Sequence, residues 1–139
     1  MATRHDAAIT GLALGSASLM ALQSSAAAIY KNQAPPGTLH PYLIYAESGG
    51  GPDNRFAGSH DDVTYTLKCV ADNDANGLEV AETAAELIDT VFRRPTSVTL
   101  TGSWVERATT VIGQFSYGET IEKKTYTHAG RIIRLRADK

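Results

Sequence analysis

Histidine, cysteine and acidic residues are where chemistry would reside, and in this chain of 139 residues they are thinly spread. The four histidines, His5, His40, His60 and His128, form no HxH or HxxxH pair that would bring two imidazoles to one metal ion. A histidine placed alone in this way is more often a surface or turn residue than a ligand. His60-Asp61-Asp62 has the right donor atoms for one cation, but a short acidic run at a loop-to-strand junction more often marks a solvated strand start. Cys69 continues the apolar alternation of Val63, Tyr65 and Leu67, which makes it a small buried hydrophobe rather than a nucleophile. Gly49-Gly50-Gly51-Pro52 is glycine-rich but lacks the lysine and following helix of a phosphate-cradling loop. No GxSxG elbow occurs. The expectation is a protein with no catalytic centre, no metal and no cofactor. A lone cysteine also excludes an intrachain disulfide and fits a reducing compartment.

Charge is the more telling property. With 13 basic and 15 acidic residues the net charge is −2, which gives no general attraction to nucleic acid. The charges are unevenly placed. Residues 47–89 carry 10 acidic and 2 basic residues, and residues 122–139 carry 6 basic and 2 acidic. Lys123, Lys124, Arg131, Arg134 and Arg136 make the C-terminal segment basic. One reading is a solvated strand face, or an edge whose charges discourage aggregation. The other is an assembly interface, because segments of opposite sign suit head-to-tail contact, and a closing rotation yields a ring. Tyr126 is the only aromatic interleaved with these cations, so direct reading of nucleic acid is not expected.

Two helices and four strands position these residues. A mildly apolar run after Asp6, diluted by Thr10, Gly11, Gly15, Ser16 and Ser18, reads as an amphipathic helix over residues 6–28. It is too polar for a secretory leader or a membrane span. Ile9, Leu12, Leu19 and Leu22 share its apolar face. Pro35-Pro36-Gly37 breaks the chain, and the residue before Pro41 is driven extended. Tyr42 to Tyr45 begins the first strand, residues 48–59 read as a glycine-rich loop, and residues 62–70 alternate as the second strand. Residues 73 or 74 to 92 form the clearest helix. Leu78, Val80, Ala81, Ala84, Ala85, Leu87, Ile88, Val91 and Phe92 fill one half of the wheel, with Asp72, Asn73 or Asp74 as cap. A third strand over 96–106, a polar connection over 109–119, and a fourth strand over 122–136 kinked at Gly130 complete the chain. The size suits one domain. The fold class is α+β, with a four-stranded antiparallel sheet and two main helices in the order α-β-β-α-β-β.

Residues 29–45, IYKNQAPPGTLHPYLIY, resemble the signature of the tail-completion or tail-terminator proteins of long-tailed bacteriophages: "IY" after the first helix, then AP-x-GT-x-x-PY-x-x-Y entering the first strand. The likeness continues through Gly58-Ser59-His60 leading into Val63, Tyr65 and Leu67, through the acidic amphipathic helix, and into a basic final strand. It departs at Ala28, where the family usually carries an arginine. The resemblance implies a non-enzymatic virion protein assembled in the host cytoplasm. It implies a ring, hexameric in the family, that caps the tail tube, stops its polymerisation and docks to the head-side stopper or connector. The partners are further copies of itself, the tube protein and that head-side protein. DNA passes through the lumen without sequence-specific binding, and no membrane is involved. The alternatives are another neck-ring component, such as a stopper or connector adaptor, or a small-molecule-binding α+β domain. The candidate contact residues are Arg55 and Phe56 in the glycine-rich loop, Phe115 and Tyr117 in the polar connection, and Arg131, Arg134 and Arg136.

Overall fold

The computed structural model describes residues 6–53, 60–72, 76–93 and 105–138, and its frame is one five-stranded sheet with three helices packed on one face. Helix α1 covers Asp6–Leu14, α2 Ala17–Ala21 and α3 Gly77–Phe92. Strand β1 is Ile29–Lys31, β2 Tyr42–Asp53, β3 His60–Asp72, β4 Val105–Ile121 and β5 Lys124–Asp138. Their spatial order is β1-β2-β3-β5-β4. β1 runs parallel to β2, and all other neighbours are antiparallel.

The α+β class therefore stands, while the four-stranded, fully antiparallel sheet does not. The additional strand, β1, has only three residues, too few for alternation to show. It is fixed by long-range pairing: Leu43 N donates to Ala28 O at 2.9 Å, and Asn32 N donates to Tyr45 O at 2.8 Å. Asn32 then takes a left-handed backbone (φ 64°), which ends the strand.

The single helix expected over residues 6–28 is two short helices. Gly15 N donates to Gly11 O at 3.0 Å and closes α1. Ser16 is extended (φ −97°, ψ 100°), and its side chain accepts from Leu19 N, which caps α2. Ile9 and Leu19 are fully buried, and Leu12 and Leu22 pack against the same core.

Two segments expected as loop are strand where they are described, and residues 54–59 of the first lie outside the described residues. β2 continues through Gly49, Gly50 and Gly51, which pair with Thr64, Val63 and Asp62 after a register shift at Glu47. The polar segment 109–119 lies within β4, paired to β5 along its length, with bulges at Glu106/Ala108 and Val111/Gly113. Pairing to β5 overrides its weak local preference for strand. Arg55, Phe56 and most of the expected third strand lie outside the described residues. No break occurs in β5 at Gly130, which pairs with Lys68 on one side and Phe115 on the other. A Cβ there would collide with the Leu67 carbonyl and stand 2.6 Å from Lys68 Cα, so the glycine allows close strand approach rather than a kink.

The core forms between the odd-numbered face of the sheet and the helices. Leu43, Tyr45, Tyr65, Leu67, Cys69, Ile133 and Leu135 meet Ile9, Leu19, Ala84, Ile88 and Phe92. Beside it, Ala71, Ala81, Ala85 and Ala129 make a small-residue contact between α3 and β5. Leu78 does not join the buried half of α3: it sits in the first turn and is 55% exposed. Nor do the expected caps close the helix. Asp72 belongs to β3, residues 73 and 74 lie outside the described residues, and Asn76 holds the cap position without a side-chain hydrogen bond.

Candidate assembly surface

The pleat sends Tyr42, Ile44, Thr66, Lys68, His128, Ile132 and Arg134 to the side of the sheet away from the helices. An aromatic ladder crosses this open face. Tyr117 lies nearly parallel to the His128 ring, with centroids 4.6 Å apart and planes 7° apart. Phe115 stacks beyond it at 6.1 Å. Lys68 Nζ donates to the Tyr117 hydroxyl at 2.8 Å. His128 Nε2 stands 3.3 Å from Glu119 Oε1, while its buried Nδ1 has no hydrogen-bond partner among the described residues. Burial holds the His128 imidazole below its ordinary range, Lys68 acts in the same direction, and Glu119 opposes both. At the other end, His40 stacks on Tyr126 at 4.7 Å and lies 4.9 Å from Tyr42, and Tyr30 meets Tyr42 edge-on. Burial again lowers the His40 pKa, although Asp72 raises it. Asp72 itself pairs with Lys124 at 2.8 Å.

On the helix side, α3 covers β3 and β5 but leaves the outer strand only partly roofed. The result is a groove of about 400 Å³ between α3 and β4. Its floor is the small residues Ala85 and Ala129, and its sides are the β4 segment 114–116 with Glu82, Glu86 and Arg131. Glu82 and Glu86 are exposed on the outer side of α3. Neither they nor Arg131 form an ion pair among the described residues.

No cluster of three metal-ligating side chains occurs among the described residues, and no described helix is long and apolar enough to cross a membrane. Cys69 is fully buried, its thiol reaches Gln23 Oε1 at 3.5 Å, and burial pushes its pKa up to about 12. That is the environment of an inert core thiol.

The model of the tail completion protein gp17 family matches residues 7–114. The chain belongs to this family. It is accordingly a structural tail protein of the bacteriophage type and a virion component. A chain from the structure titled "Virion of native gene transfer agent (GTA) particle" has the same fold, with a TM-score of 0.67 and 18% identity over 96% of this chain and 93% of that one. A search of curated proteins finds no match.

Within this family member, the residues expected to make contacts fall on different surfaces. Phe115 and Tyr117 come together on the open face, as neighbouring rungs of β4 rather than in a loop. Arg134 is exposed on that same face, whereas Arg131, one strand position of opposite parity, opens into the groove beside α3. Arg136 pairs through its backbone with Asp62 and Ala108. The acidic and basic segments are therefore neighbours within one copy, because β5 packs against α3. Sequence reasoning missed His40, Lys68, Tyr126 and His128. The parity of Tyr126, His128, Gly130, Ile132 and Arg134 placed them on one face, but nothing local indicated that β5 would lie in the middle of the sheet and bury His128.

Proposed function

We propose that this protein is a tail terminator. Copies associate into a hexameric ring that caps the tail tube, stops its polymerisation and presents a docking surface to the head-side stopper or connector. The ring assembles in the host cytoplasm from single-domain subunits, and its lumen passes DNA without reading sequence. The protein acts by assembly and not by catalysis. The observation that carries this reading is membership of the tail completion family over residues 7–114. Two features support it. One is a solvent-facing sheet surface bearing stacked aromatic residues beside Lys68 and Arg134, the residue types that anchor protein interfaces. The other is a groove of mixed charge whose Glu82, Glu86 and Arg131 form no ion pair among the described residues.

Purified protein mixed with polymerising tube protein tests this directly. A terminator binds the tube end and halts elongation. Binding to a head-side ring with no effect on tube length would instead assign the protein to a stopper or adaptor role.

A further inference from the structure

We infer that the tip of the β4–β5 hairpin of one copy seats in the α3–β4 groove of a second copy. Ile121 lies on the Ala85 and Ala129 floor, Lys123 faces Glu82 and Glu86, and Glu122 faces Arg131. This rests on the ring-forming reading and names the contact that closes the ring.

The tip is built at a conformational cost. Glu122 (φ 50°) and Lys123 (φ 69°) both adopt left-handed backbone in the two-residue turn between β4 and β5. A hairpin turn with two positive φ angles favours Asn-Gly, which enters that region easily. Here two long charged residues occupy it, and retained backbone strain points to a use for the side chains. Both are exposed, and Ile121 beside them is 51% exposed. A β-branched apolar side chain followed by an acid and a base is therefore presented at the end of a two-stranded arm.

The groove is complementary to it, with a small-residue floor, two carboxylates on the helix wall and one guanidinium on the strand wall. The tip cannot reach its own groove. From Ser116, at the groove, to Ile121 is five residue steps of paired β4, about 17 Å of strand leading away. A hairpin tip seated in this groove must come from another molecule. Because tip and groove are different surfaces, the contact is heterologous, the kind that propagates until a rotation closes it.

Cysteine pairing and charge exchange test the contact. Lys123→Cys protein is mixed with Glu86→Cys protein, in solution and on tail tubes, under mild oxidation; the native Cys69 is buried. The expected result is a disulfide-linked dimer formed only when both variants are present. Lys123→Glu should weaken self-association about 10-fold or more, and the double variant Glu82→Lys/Glu86→Lys should restore it when mixed with Lys123→Glu. Glu122→Asn/Lys123→Gly gives a further separation, because it should raise the melting temperature of the subunit while weakening the ring. Rings that assemble unchanged with Lys123→Glu and give no cross-link overturn the hairpin contact and leave the terminator reading intact. Wild-type protein that forms no ring in solution or on tubes overturns both.

Discussion

At the scale of single residues, burial decides which groups respond to their surroundings. The Cys69 thiol, held up to about 12 and closed off by the core, should resist alkylation at pH 8 in the native protein and react fully in denaturant. Labelling of the folded protein at the rate of a free thiol would contradict this. His128 has the opposite shift. Its folded pKa lies below the unfolded value of 6.5, so its contribution to stability is present above that value and is lost as pH falls through the folded pKa. Denaturation midpoints should decline from pH 7 toward pH 5, and His128→Gln should flatten the decline. An unchanged pH profile in the variant would place the titration elsewhere. Gly130 is a steric requirement. Gly130→Ala should destabilise the fold by about 3 kcal/mol, since the new methyl group meets the backbone of β3 and not a movable side chain.

At the scale of elements, α3 shows how far periodicity leads. Its apolar spacing at 81, 84, 85, 88 and 92 identifies the buried face because helix geometry is local, and the structure buries all five. Leu78 satisfies the same wheel yet is 55% exposed. Ile88→Ala should therefore cost about 2–5 kcal/mol, while Leu78→Lys should stay within about 0.5 kcal/mol, both read from urea titrations. β3 was equally legible, because its alternation of Val63, Tyr65, Leu67 and Cys69 follows directly from one buried face. β4 and the glycine run of β2 were not. Gly49, Gly50, Gly51, Gly113 and Gly118 have weak strand preference, and these segments are extended because long partners pair with them. β1 was invisible for the same reason: three residues carry no period, and their pairing to Leu43–Tyr45 depends on contacts across the sheet. The candidate contact residues shared this limit. Phe115 and Tyr117 were recognisable as aromatic anchors, but the stacking of Tyr117 on His128 required the β4–β5 register.

At the scale of the whole molecule, helices cover one face of the sheet and no described helix covers the other, with a groove between α3 and β4. A net charge of −2 divided into acidic and basic segments does not create two poles in one copy, because α3 and β5 lie together. It creates instead a surface where both signs recur at short range, suited to register one subunit against the next. Salt should then modulate assembly: raising ionic strength from about 0.05 to 0.5 M should shorten ring lifetime if charged groups steer the contact. The most direct measurement of the central claim is electron microscopy of tail tubes grown from tube protein in the presence and absence of this protein. The account predicts tubes bearing a ring of this protein at one end and no longer able to elongate. Uncapped tubes that grow to the same lengths with the protein present would contradict it.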